Sequence, residues 1–220
     1  MIITWLDISA SYSHRSLALP ALHSACEAVG VPAQWAVVHG TPSDDPGELA
    51  AAVASQRPDI VLATAYLFTH DMLMKTGRRI RELLPQLTIV LGGPEFLGDN
   101  RRHLTREPWV DAVLRGEGEA PLPLVIQAEP RSRAWEDIAG LCWLDATGAY
   151  HDNGLAGCPA PFDTSPLDSP FFCTDGPFVA LETSRGCRGH CSYCTSAGSL
   201  PVRYATVDWL AAQLDALVRR

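Results

Sequence analysis

The chain has 220 residues, 47% of them hydrophobic, and 25 acidic against 17 basic side chains give it a net charge of −8. That length allows one large or two small domains, and the composition is that of a soluble globular protein. The acidic balance argues against nucleic acid as a partner, no apolar run approaches the ~20 residues of a membrane span, and residues 1–7 lack the basic start of a signal peptide. Seven cysteines, an odd number with three of them clustered, fit a reducing, cytoplasmic setting better than a disulfide framework.

Strands and helices alternate from the first residue. Residues 2–8 read as a buried strand. Residues 15–29 place Leu17, Leu19, Leu22, Ala25, Cys26 and Val29 on one helical face, with Gly30 as C-cap. Residues 34–38 form a second strand. Residues 45–56 form an Ala-rich helix with Pro46 at its start. A strand over 59–65 follows Pro58, and a helix over 70–84 stops before Pro85. The strand over 87–91 runs into Gly92-Gly93-Pro94-Glu95, followed by a helix over 96–106. The strand over 111–114 runs into Gly116-Glu117-Gly118-Glu119, followed by a helix over 121–127. Five such alternations with short links predict an α/β fold, a doubly wound parallel five-stranded sheet with helices on both faces.

Ligands of such sheets sit beyond the carboxyl ends of the strands. The segments there are residues 9–14, 64–68, 92–95 and 116–119. Glycines in them let a flat or bulky ligand approach the backbone, although Gly92 and Gly93 read equally as ordinary turn residues. Tyr66, Leu67 and Phe68 offer either an apolar floor to a ligand or plain core packing.

Residues 140–144 and 150–152 read as a small hairpin around Ala146-Thr147-Gly148. Pro159, Pro161, Pro166, Pro170 and Pro177 then mark an ordered linker with incidental thiols at Cys158 and Cys173. Residues 178–182 read as a strand, and 207–218 as an amphipathic helix with Leu210, Leu214, Leu217 and Val218 on one side. The expected division is 1–130, 131–176 and 177–220.

Between that strand and helix lies Cys187-Arg188-Gly189-His190-Cys191-Ser192-Tyr193-Cys194. Three thiolates on one loop can hold three irons of a cubane cluster, leaving the fourth iron open to a substrate. A structural zinc site wants four ligands, usually in two pairs, so zinc suits this loop less well. A zinc-binding interaction module remains a reading of cysteine content alone. His190 could tune a cluster or face solvent, and Arg185 and Arg188 could favour an anionic cluster or be solvated.

The cysteine spacing, with Tyr193 before the last cysteine, resembles the radical S-adenosylmethionine (SAM) superfamily. The two glycine stretches resemble the Rossmann-like cobalamin-binding domain that precedes many radical SAM domains, and the opening Ala10-Ser11-Tyr12-Ser13-His14-Arg15-Ser16-Leu17-Ala18-Leu19 is similar to a subgroup of those proteins. The resemblance runs from residue 1 to about 215. It implies a [4Fe-4S] cluster on Cys187, Cys191 and Cys194, with SAM on the open iron and backbone near Tyr193 meeting the adenine. It also implies cobalamin held by Tyr12, Ser13, Thr64, Tyr66, Leu67, Gly92, Gly93, Pro94, Glu95, Gly116, Glu117 and Gly118. The family's Asp-x-His-x-x-Gly cobalt-ligand motif is absent, which implies cobalamin bound without a histidine ligand.

The implied activity is reductive cleavage of SAM, most often for methyl transfer to an unactivated carbon. Relatives with this domain order also cyclise or rearrange substrates, and a non-catalytic cofactor-binding fragment is the alternative. The implied partners are a small-molecule or peptide substrate and an electron donor such as flavodoxin or ferredoxin, with no nucleic acid and no membrane. Residues 177–220 accommodate one β/α unit of a radical SAM partial barrel. The chain is therefore expected to be the N-terminal portion of a longer protein.

Overall fold

The computed structural model describes residues 1–9, 16–157, 165–174, 178–196 and 201–219. One seven-stranded sheet runs in the order β2-β1-β3-β4-β5-β6-β7. Five strands are parallel: β1 (Ile2–Ile8), β2 (Gln34–Gly40), β3 (Ile60–Thr64), β4 (Thr88–Gly92) and β5 (Ala112–Leu114). This is the expected doubly wound core. The hairpin of β6 (Leu141–Leu144) and β7 (Tyr150–Asp152) extends the β5 edge antiparallel, so the sheet is two strands wider than its parallel part.

Burial on both sides explains the continuous apolar runs of the central strands. Ile3 and Trp5 of β1, Leu62 of β3 and Val90 of β4 pack with α1 (Ala18–Ala28) and α5 (Pro121–Gln127). Leu6, Val61, Ala63, Ile89 and Leu91 pack on the opposite face with α2 (Pro46–Ser55), α3 (His70–Leu83) and α4 (Arg101–Arg106). The Asp45 side chain caps α2 by accepting from Gly47 N and Glu48 N, with Pro46 at the first helical position as expected. Gly30 follows α1 at φ +70°.

Two elements differ from the sequence reading. The helix expected over 96–106 begins only at Arg101. Pro94–Phe96 forms a 3-10 turn first, and Asn100 Nδ2 donates to Phe96 O and Gly98 O, which holds the chain out of the helix for a turn. The strand expected over 178–182 does not form. These residues are irregular and Phe178 is 90% exposed, and no strand among the described residues pairs with them. A two-residue strand, β8 (Ser184–Arg185), forms just beyond, antiparallel to β9 (Arg203–Tyr204).

Part of the proline-rich linker is built into the core. Pro166–Asp168 is a 3-10 turn that packs on α1, with Leu167 and Phe172 buried and the Phe171 ring edge-on to His23 at 5.0 Å. Ser165 Oγ hydrogen-bonds Gln213 Oε1 of α6 (Val207–Val218). Gln213 is the buried residue of α6, whereas Val207, Leu214 and Val218 are exposed. Among the described residues no helix is long and apolar enough to cross a membrane.

Candidate functional site

At the carboxyl ends of β1, β3, β4 and β5 the sheet opens into a cavity of about 330 Å³ on the α1/α5 face. Trp5, Leu62, Val90 and Leu114 form its floor. Leu17, Ala21 and Leu22 form one wall, and Leu122 of α5 faces them. Gly92, Gly93, Pro94 and residues 116–119 form the rim. The cavity reaches the point between β1 and β3 where the strand order reverses and extends from there along the ends of β4 and β5.

Two rim glycines are demanded by geometry. Gly93 has φ +106°, and a Cβ there would stand 2.7 Å from Ala65 O. Gly116 has φ +91°, and a Cβ there would stand 2.0 Å from Ala156 O, which the chain beyond β7 brings alongside as a parallel bridge. Both positions therefore present bare backbone at the rim.

Of the residues singled out for a flat cofactor, Thr64, Tyr66, Gly92, Gly93, Pro94, Gly116, Glu117 and Gly118 line this cavity. Tyr66 also stacks on Phe68, with ring centroids 5.5 Å apart. Leu67 is 80% exposed and does not line the cavity, and neither does Glu95 in the 3-10 turn. Tyr12, Ser13 and His14 lie outside the described residues, as does Cys158.

A second cavity, of about 280 Å³, lies between the glycine turns and the cysteine loop. Leu97, Gly186, Cys187 and Ser196 line it. It shares Gly93, Pro94, Gly116, Glu117 and Arg185 with the first, so these five residues are a common wall. Cys187 is half-buried, while Cys191, Cys194, His190 and Tyr193 are exposed. A Cβ on Gly189 would lie 3.5 Å from both Cys187 Sγ and Cys191 Sγ, and Gly189 N donates to Cys187 Sγ at 3.3 Å. Among the described residues no three His, Cys, Asp or Glu groups stand in metal-binding geometry, the three cysteines included. Metal binding itself supplies the free energy that closes such sites.

Between the two cavities lies a network of ion pairs. Arg185 Nη1 donates to Glu119 Oε1 at 2.6 Å and lies 3.6 Å from Glu117 Oε2. Its Nε and Nη2 reach both oxygens of Glu182, at 3.0 and 2.6 Å. Arg203 grips Glu117 with two nitrogens, Nη1 donating to Oε2 at 3.0 Å. Burial works against the Arg185 charge, but the bidentate bond to Glu182 and the field of Glu119 more than offset it, so its pKa rises. The Glu117 and Glu119 carboxylates are thus committed to arginines. Sequence reading left Arg185 undecided between two roles and passed over Arg203. The one signal for both was a pair of acidic side chains on a Gly-rich turn, which need cationic partners once buried.

The apolar floor, the bare glycine rim and the absence of an uncompensated charge among the rim residues suit a large, flat, largely uncharged ligand. The fold and cleft define a class, the open α/β proteins that bind a cofactor at the carboxyl edge of a parallel sheet. Residues 4–126 match the B12 binding domain family, and the chain belongs to it. An uncharacterized methyltransferase, PH0819, of Pyrococcus horikoshii is 28% identical over 161 residues, covering 68% of this chain and 34% of that protein. The cobalamin-dependent radical SAM methyltransferase TokK of Streptomyces tokunonensis is 26% identical over 151 residues, covering 62% of this chain and 22% of its own. Among solved structures, that of the cobalamin-dependent S-adenosylmethionine radical enzyme OxsB superposes with a TM-score of 0.72 at 16% identity, over 99% of this chain and 31% of its own, which shows the shared fold. The chain spans about a third or less of the length of these proteins.

Proposed function

We propose that the chain is the cofactor-binding portion of a cobalamin-dependent radical SAM enzyme. On this reading cobalamin binds over the glycine rim, with Thr64, Tyr66, Gly92, Gly93, Pro94, Gly116 and Gly118 against it. Cys187, Cys191 and Cys194 ligate a [4Fe-4S] cluster that holds SAM. When bound, these cofactors supply radical and methyl-transfer chemistry. Methyl transfer to an unactivated carbon is the preferred reaction, supported by the methyltransferases among the relatives.

The observation that carries the reading is the common wall. One cavity is bounded by the glycine rim of a B12 binding domain, the next by the first cysteine of the loop, and five residues line both. Two cofactors placed on either side would face each other with only that wall between them. The chain's own residues orient the two, with glycine backbone admitting the flat ligand and the Arg185 network fixing the approach of the cysteines. Gly189 sits between two of the sulfurs, its N–H donating to Cys187 Sγ at 3.3 Å.

Anaerobic reconstitution with iron, sulfide and hydroxocobalamin tests this directly. The expected result is about four irons and one cobalt per chain. Iron without cobalt would overturn the cobalamin assignment, and cobalt without iron would overturn the cluster.

A further inference from the structure

We propose that Glu117 and Glu119 are positioning residues for the cysteine loop: the turn after β5 clamps the loop's neck and so sets where the cysteines stand relative to the glycine rim. The proposal rests on the reading of the two cofactor sites given above. β8 and β9 close the loop that carries all three cysteines, from Gly186 round to residue 202. The ribbon has only two residue pairs, Ser184 with Tyr204 and Arg185 with Arg203. One of the two pairs therefore sets two guanidinium groups directly opposite each other. Like charges so placed destabilise a ribbon, and an isolated two-stranded ribbon is marginal at any length. This neck is held by something other than its own pairing.

The acidic turn supplies it. Glu117 accepts from Arg203 and lies 3.6 Å from Arg185, and Glu119 accepts from Arg185 at 2.6 Å. Both carboxylates come from the rim at the carboxyl end of the parallel sheet. The Glu117 side chain is 6% exposed and that of Arg203 16%, so these are not loose surface pairs. Glu182, just before the neck, closes the cluster by chelating Arg185. Among the described residues three carboxylates, Glu117, Glu119 and Glu182, face the two arginines, and removing both turn glutamates takes away two of the three. The same turn carries Gly116 and Gly118 on the rim and the acidic grip on the neck. The register between rim and cysteines is in this way written into four consecutive residues, Gly116-Glu117-Gly118-Glu119.

The test uses the full chain in two forms. In the metal-free form, hydrogen exchange reads the neck through Ala205 N, which donates to Thr183 O at 3.0 Å. The double variant Glu117→Gln with Glu119→Gln, and independently Arg185→Gln, is expected to lose about tenfold in protection at Ala205 and the paired residues of β8 and β9, with β1, β3 and β4 unchanged as the control for an intact sheet. In the reconstituted form, pulsed electron paramagnetic resonance reads the distance between Co(II) and the reduced cluster. In both variants that distance distribution is expected to broaden relative to the parent's. Unchanged neck protection in both variants, or a distance distribution identical to the parent's, would overturn the proposal. A parent chain that takes up neither metal would instead defeat the functional reading, and hydrogen exchange on the metal-free chain would still decide whether the acidic turn clamps the neck.

Discussion

Gly93 and Gly116 bear the tightest constraint of any single residues in the site. Alanine at either position adds a left-handed penalty of about 1–2 kcal/mol, and a Cβ against backbone oxygen rather than a yielding side chain adds overpacking on top. Gly93→Ala and Gly116→Ala should each lower stability by roughly 2–4 kcal/mol in urea unfolding and weaken hydroxocobalamin binding. The glycines themselves were visible in the sequence, but alone they read equally as turn residues, and it was the resemblance that marked them for a ligand. Their obstacles were not visible, since Ala156 comes to Gly116 from beyond the hairpin and no local pattern announces it. The same limit applies to His39. Its sequence neighbours hold no carboxylate, yet the parallel register sets Asp7 beside it, Oδ2 to Nδ1 at 3.1 Å. His39 is not among the residues that line the glycine-rimmed cavity. The electron paramagnetic resonance spectrum of the Co(II) protein is accordingly expected to lack nitrogen superhyperfine splitting from a protein imidazole. Such splitting, removed by His39→Ala, would make the Asp7-oriented ring the cobalt ligand.

At the scale of elements, the parallel sheet was readable because its strands are apolar throughout and its turns are marked by Gly and Pro. The hairpin was readable as a hairpin but not as an extension of the sheet, because joining an edge depends on the partner strand rather than on the hairpin's own residues. The strand expected over 178–182 had the right composition but finds no partner among the described residues. The helices carry a pH signature. Burial lowers the pKa of His23 on α1, against a smaller opposing effect of Glu27, and burial and the charge of His70 lower that of His103 on α4. Both sit below the ordinary 6.5, so below that pH the unfolded chain takes up protons that the folded chain refuses. Stability is therefore full above pH 6.5 and falls as the pH drops through it towards the folded values, by up to ~1.4 kcal/mol per pH unit for the 9%-exposed His23. Urea midpoints at pH 7.5 and 5.5 should differ in that sense, and His23→Gln should flatten the slope. Burial raises the carboxyls of Glu107 and Asp152, but their hydrogen bonds more than offset it, so their contribution persists to lower pH and does not confuse the window.

Over the whole molecule, two contacts among the described residues tie the cysteine unit to the sheet. One is the acidic turn on the arginine neck. The other is the segment from Ser165 to Phe172, which packs its Leu167 and Phe172 into the core and hands a hydrogen bond to α6. The sequence showed this segment only as proline-rich, and proline content reports what a chain cannot be rather than where it lies. A free tether would let its cargo search a volume fixed by its length, and the local concentration of one end at the other would fall as the tether grew. A segment buried along its own domain has no such search to perform. The cysteine loop then stands beside the glycine rim through these packed contacts, and its placement there is set by them rather than by the number of residues that connect the two.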